Sequence, residues 1–194
     1  MEQKFITLLS VLIILLSSCS NTVERADKLR LDNKFEEAAE LYKQAASEGN
    51  AYAKWRLAKA YSNGDGIEYN EEIAWSLLKE AADAGCPQAR CDVALSYIYG
   101  LYGIDENVEK GKQMLESLCS NTQDSYSLTR YAVELLNGSN FDINEERAMF
   151  ILDNIQDKKE PYYLRIMSYI YFNGINNIEV DNNKQYFGYF LRVC

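Results

Sequence analysis

The side chains here that could carry chemistry are cysteines and carboxylates, because the sequence contains no histidine. Without imidazole there is no Ser-His-Asp or Cys-His nucleophile and no HExxH zinc site. Carboxylate pairs remain as a possible acid and base, and they occur at Glu36-Glu37, Glu71-Glu72 and Glu145-Glu146. Each pair opens an amphipathic stretch, where the first turn of a helix favours negative charge. They therefore read as helix-terminal charge rather than catalytic machinery. Asp65 stands between Gly64 and Gly66, but the spaced acids of a calcium loop are missing. Of the five cysteines, Cys86, Cys91, Cys119 and Cys194 lack the paired C-x-x-C spacing of a zinc site. No metal, no cofactor and no catalytic residue is expected, and the chain is expected not to be an enzyme.

Binding chemistry is better supplied. The 194 residues include 15 tyrosines, and 47% are apolar, so a core can form. Lys and Arg number 20 against 29 Asp and Glu, a net charge of -9. That field repels phosphate backbones, which argues against a nucleic-acid partner.

The fifth cysteine, Cys19, closes an unusual start. Lys4 and the amino terminus outweigh Glu2, and an apolar stretch follows from Phe5 to Leu16. Twelve residues are too few to span a bilayer, which needs about 20, but they match the apolar region of a signal peptide. The stretch ends in Leu16-Ser17-Ser18-Cys19, which resembles a bacterial lipobox; the alternatives are a plain secretory signal cleaved near Ser18, with Cys19 incidental, and an uncleaved anchor helix. That resemblance implies a signal peptide over 1–18, a lipidated Cys19 and a tether over 19–21. It implies an exported chain anchored to the bacterial cell envelope, with the outer membrane or the periplasmic face favoured by Ser20. The membrane is then met through the lipid on Cys19 alone, since two or more acyl chains hold stably.

The elements that must position the remaining residues repeat. Glycine recurs at Gly64, Gly100, Gly138 and Gly174, spaced by 36, 38 and 36 residues. A small residue precedes each, at Ala58, Ala94, Ala132 and Ser168, with Tyr61, Tyr97, Leu135 and Tyr171 three residues on. After each of the first three glycines comes a second stripe, Ala74-Leu78, Gly111-Leu115 and Ala148-Leu152, again at helical spacing. Asn70, Asn107 and Asn144 stand where an N-cap belongs, and Gly49 and Gly85 where a left-handed C-cap belongs. Each unit thus reads as helix A, a glycine-bearing loop, helix B and a tight turn. One such hairpin cannot bury its apolar face alone, so the units must stack.

These units resemble Sel-one-like repeats, relatives of the tetratricopeptide repeat. The hallmark residues stand at Ala53, Leu57, Ala58, Tyr61 and Gly64, followed by Ala81, Ala82 and Gly85. The resemblance covers 22–194: a tetratricopeptide-like hairpin over 22–49, then repeats over 50–85, 86–122, 123–159 and 160–194. The third is degenerate, and the last loses the small helix B residue at Gln185. The implied fold is all-α, a right-handed α/α solenoid of helix A–loop–helix B repeats, with the A helices lining the concave side. Cysteine-rich bacterial members bridge helix A to helix B, which implies a pairing of Cys91 with Cys119. Cys91 stands one residue off the family position, Cys86 is a rival partner, and buried thiols are the alternative.

Stacked repeats would align Tyr52 with Gln88, Tyr126 and Tyr162. They would align Trp55 with Cys91, Thr129 and Arg165, and Arg56 with Asp92, Arg130 and Ile166. With Tyr169, the residues Tyr52, Trp55, Arg56, Tyr126, Arg130, Tyr162 and Arg165 form a candidate groove of the aromatic and arginine types that dominate binding hot spots. The opposing reading is that they pack between neighbouring repeats. The expected function is a cell-envelope lipoprotein that holds a protein or peptide partner as a scaffold. The alternatives are an envelope enzyme or enzyme accessory acting on cell-wall or glycan substrates, and a surface or secreted effector acting on a host. A fatty-acid analogue fed to cells is expected to label the protein, and Cys19→Ala is expected to abolish that label. Label surviving in the variant refutes the lipobox.

Overall fold

The structure is a computed structural model that describes residues 21–173, with side chains to residue 170. Cys19 and the signal segment, and Gly174, Gln185 and Cys194, lie outside the described residues. The helices are α1 (21–31), α2 (Phe35–Ser47), α3 (Ala51–Asn63), α4 (Glu71–Asp83), α5 (Pro87–Tyr99), α6 (Val108–Asn121), α7 (Ser125–Asn137), α8 (Glu145–Asn154) and α9 (Pro161–Asn173). A single 3₁₀ turn spans Leu101–Gly103, and there is no strand among the described residues. The chain is all-α and built of repeated helical hairpins, as expected.

The helices start and stop for local reasons. Asn70, Asn107 and Asn144 each accept a hydrogen bond from the backbone N–H three residues on, at 2.9, 3.0 and 2.9 Å. Asn50 and Asp124 do the same for α3 and α7, each at 2.8 Å. Each bond satisfies a donor that the first helical turn leaves unpaired. Glu71, Glu72, Glu109, Glu145 and Glu146 stand in first turns, where the dipole favours them. This is the structural role expected of the acid pairs. At the other end Gly49 and Gly85 adopt φ of +91° and +92°. This lets Asn50 and Cys86 donate back to the Ala45 and Ala81 carbonyls at 3.0 Å.

Among the described residues two compact units result: 21–93 with Leu101–Ile104, and Ala94–Gly100 with 105–173. In the first, Val23, Ala26, Ala38, Tyr42, Ala45, Ala53 and Leu57 form a core, with α3 packed on α2 and α4. Ala74 and Leu78 on α4 are fully buried. In the second, α7 packs on α6, α8 and α9, around Leu115, Tyr131, Leu135, Leu152, Tyr163 and Met167.

The small helix B residues have a steric cause. A Cβ at Gly111 would stand 2.5 Å from both the Ala94 carbonyl oxygen and Ile98 Cγ1. Nothing larger than hydrogen fits between α5 and α6 at that point. Gly111→Ala and Ala74→Leu are each expected to cost about 1–3 kcal/mol through overpacking. Thermal unfolding followed by circular dichroism measures it, and unchanged midpoints refute the packing argument.

Candidate binding surface

In the first unit the groove residues are already engaged. Asp27 on α1 accepts from the Tyr42 hydroxyl at 2.5 Å and from the Tyr52 hydroxyl at 3.2 Å. Arg56 Nε donates to the Tyr52 oxygen at 2.7 Å and lies 3.1 Å from the Asp27 carboxylate. The Arg56 guanidinium also lies 5.0 Å from the centre of the Tyr52 ring and 4.5 Å from that of Trp55. Trp55 is only 3% exposed, and its indole donates to Asp92 at 2.9 Å. Lys59 adds its charge to the same carboxylate at 3.5 Å. Cys91 and Thr129, at the Trp55 position, are likewise fully buried. This row therefore joins elements rather than facing a partner, because it sits under the helices and its polar atoms meet their partners inside the unit.

In the second unit Tyr126, Arg130 and Tyr162 are half-buried, as Tyr52 and Arg56 are in the first, while Arg165 and Tyr169 are exposed. The Tyr126 and Tyr162 rings lie 5.5 Å apart, tilted by 53°. Arg130 donates through Nη1 to the Tyr162 oxygen at 3.2 Å, and its guanidinium lies 5.5 Å from that ring. Arg165 approaches the same ring at 4.9 Å. Arg165 is exposed and Tyr169, one turn further along α9, is 53% exposed. The structure thus brings Tyr126, Arg130, Tyr162 and Arg165 together.

Sequence reasoning missed the carboxylates that meet these rings. Asp27 and Asp92 are two, and Glu134 is a third, 3% exposed and bonded by the Tyr99 hydroxyl. The available signal was the exchange of Arg56 for Asp92 at one repeat position, which marks a charged site within a core stripe. Cys86, Cys91 and Cys119 are held as thiols rather than as the Cys91–Cys119 bridge. The Cys119 thiol donates to the Ser127 carbonyl at 3.6 Å. Burial, aided by the charge of Asp124, pushes its pKa up to about 12. No cluster of three or more metal-ligating side chains occurs among the described residues. None of their helices is long and apolar enough to cross a membrane.

The phenols carry a pH dependence. Burial raises the pKa of Tyr52, Tyr99 and Tyr131 to about 12 each, assisted at Tyr99 by the bond to Glu134. A folded pKa above the unfolded value of 10.0 means that the folded state holds the proton more tightly. The resulting stability is fully present below pH 10 and is lost as pH rises toward 12. Spectrophotometric titration is expected to show these phenols ionising late, with the unfolding midpoint falling over the same interval. Ordinary titration of every tyrosine refutes this.

Known proteins share this architecture. The chain is 32% identical over 84 residues to chitin synthase regulatory factor 3 of Schizosaccharomyces pombe, covering 43% of this chain and 9% of that protein. It is 27% identical over 125 residues to an exopolysaccharide production negative regulator of Rhizobium meliloti, covering 58% of this chain and 47% of that protein. The chain therefore spans less than half the length of the curated relatives it matches. A Sel1 repeat protein from Oxalobacter formigenes shares the fold at a TM-score of 0.59 and 20% identity, over 80% of this chain and 61% of that one. The model of the Sel1 repeat matches residues 31–50, 51–86, 87–122 and 161–184, and passes over the stretch between, where α7 and α8 keep the hairpin with a drifted sequence. The chain belongs to the Sel1 repeat family.

Proposed function

We propose that this protein is a lipid-anchored scaffold of a bacterial cell envelope, binding a protein partner through the open face of α7 and α9. Sel1 repeats generally mediate protein–protein interaction, and the family is typically non-enzymatic. The observation that carries the reading is the contrast between the two rows. Tyr52, Trp55 and Arg56 are consumed inside their unit, whereas Arg165 and Tyr169 stand exposed beside the paired rings of Tyr126 and Tyr162. Aromatic and arginine side chains at a partly exposed surface are the anchors that interfaces use. The lipid on Cys19, read from the lipobox, would hold the scaffold at the membrane, and the partner would be met there.

A second reading has its own support. The relatives are named as a regulator of chitin synthase and a negative regulator of exopolysaccharide production. On this reading the partner belongs to polysaccharide synthesis, and the scaffold controls it without catalysing a step.

A photo-crosslinking amino acid placed at Tyr169, in cells of the native host, is expected to trap one envelope protein in a defined adduct. The same amino acid at Lys79, which lies on α4, is expected to trap little. Efficient trapping from Lys79 with none from Tyr169 refutes the assigned face. Deletion that changes the amount of surface polysaccharide supports the second reading, and an unchanged amount removes it.

A further inference from the structure

The segment between α5 and α6 differs from its counterparts. Gly100 and Asn107 stand seven apart in sequence, whereas Gly64 and Asn70, and Gly138 and Asn144, stand six apart. The residue after each glycine is Asp65, Leu101 and Ser139, so an apolar side chain stands where its counterparts are polar. Leu101 is 45% exposed. Beside it Tyr102 takes a left-handed backbone, with φ 57° and ψ 30°. Among the described residues the other non-glycine with positive φ is Asn33, a residue type that tolerates this region. A bulky tyrosine does not. Strain of this kind persists only where the surroundings hold it, and it gathers at binding sites.

What holds Tyr102 is its ring. It stacks on Trp75 of α4 within the first unit, with centroids 5.8 Å apart and planes inclined by 19°. Tyr69, which is 56% exposed, lies near it. The hydrogen bond from the Tyr69 hydroxyl to Glu71 raises the Tyr69 pKa, and the Tyr102 phenol is close enough to add to the shift. Glu71 is one turn before Trp75 on α4, and Glu68 and Glu72 are exposed beside it in the chain. These side chains stand at the edge where helix A turns into helix B. At that edge Gly66 meets the start of α2 so closely that a Cβ would stand 2.2 Å from the Phe35 carbonyl carbon. Helix α1 ends at the same edge, so its first residue, 21, lies about 16 Å away along the helix axis.

The chemistry of this edge narrows what it can hold. Its carboxylates repel anionic polymers and anionic headgroups. The end of α1 that follows Cys19 is at the opposite edge, which turns the rings away from a membrane held through that residue. Flat rings beside carboxylates match the two sides of a pyranose. Its axial C–H groups lie against an aromatic face, and its hydroxyls donate to carboxylate oxygens. An uncharged chain meets both without bringing a charge that must lose its water. We infer that Tyr69 and Tyr102, backed by Trp75, bind a neutral pyranose chain, with Glu71 and Glu72 accepting from its hydroxyls. This site lies on the first unit and does not depend on the scaffold reading of α7 and α9.

The test uses the full chain in a detergent without a sugar headgroup. Isothermal titration calorimetry with cellohexaose, whose ring faces are flat and uncharged, is expected to give saturable binding at millimolar concentration. Hexagalacturonate, which carries a carboxylate on each ring, is expected to bind at least about tenfold more weakly. Tyr69→Ala, an exposed change that leaves the helical dichroism intact, is expected to weaken cellohexaose binding at least about tenfold. Tyr69→Phe is expected to keep most of the affinity, because the ring remains. Tyr102→Gly, which suits the left-handed backbone but removes the ring, is expected to weaken binding as Tyr69→Ala does. Tyr169→Ala, on α9, is expected to have no effect. No binding of cellohexaose, equal binding of hexagalacturonate, or a Tyr69→Ala variant that binds like the parent overturns the inference. A photo-crosslinking amino acid at Leu101 that traps a defined protein in cells overturns the glycan as occupant and assigns this edge to a protein. Trapping from Tyr169 is read on the other unit and tests the scaffold reading alone.

Discussion

Three hairpins among the described residues depend on a residue no larger than alanine where the second helix meets the first. Ala74, Gly111 and Ala148 hold that position, and all three are buried. At Gly111 the backbone of α5 stands where a methyl group would be. Such closeness lets the large residues around it, Leu78, Leu115 and Leu152, fill the space between hairpins with no exposure at all. The capped starts and glycine ends of the helices follow from the same constraint, since a short, tightly packed hairpin leaves no room for frayed turns.

Closeness also decides the fate of the polar side chains on the A helices. A phenol or guanidinium caught between closely packed elements loses water and must be given a partner. In the first unit Asp27 and Asp92 supply those partners, so Tyr42, Tyr52, Trp55, Arg56 and Lys59 become part of the framework. At the same repeat positions of the second unit, rings and cations lie against one another. Arg130 and Arg165 both turn to Tyr162. One pattern of residues thus serves as internal fastening in one unit and as surface in the other.

The fold was legible because its signals are local. Asn70, Asn107 and Asn144, the glycines after each helix and the small residues of helix B act within a turn or a hairpin, and they recur at a fixed period. The surface was legible only in part. The row of Tyr52, Trp55 and Arg56 has the composition of a binding site, yet Trp55 is buried, because burial depends on how neighbouring helices rotate about their own axes. A residue list does not contain that rotation. The carboxylates were hidden for the same reason: Asp27, Asp92 and Glu134 belong to ordinary amphipathic stretches, and only three-dimensional proximity pairs them with phenols and an indole. The acid pairs at the starts of α2, α4 and α8 were readable as helix-terminal charge because the dipole that places them acts along a single helix.

The Asp27 network also bears on how such a protein can change over evolutionary time. Repeat arrays are commonly lengthened and shortened by whole units, since each unit mainly contacts its neighbours. Here the first hairpin is not an interchangeable module. Removing α1 would leave the half-buried Arg56 guanidinium and the Tyr42 and Tyr52 phenols without their shared anion, and a partly desolvated charge that loses its partner is destabilising. Asp27 therefore ties α1 to α3. Lineages that gain or lose repeats are free to do so elsewhere in the chain, while the junction of α1 with α3 stays bound to a particular partner residue and is inherited as a single block.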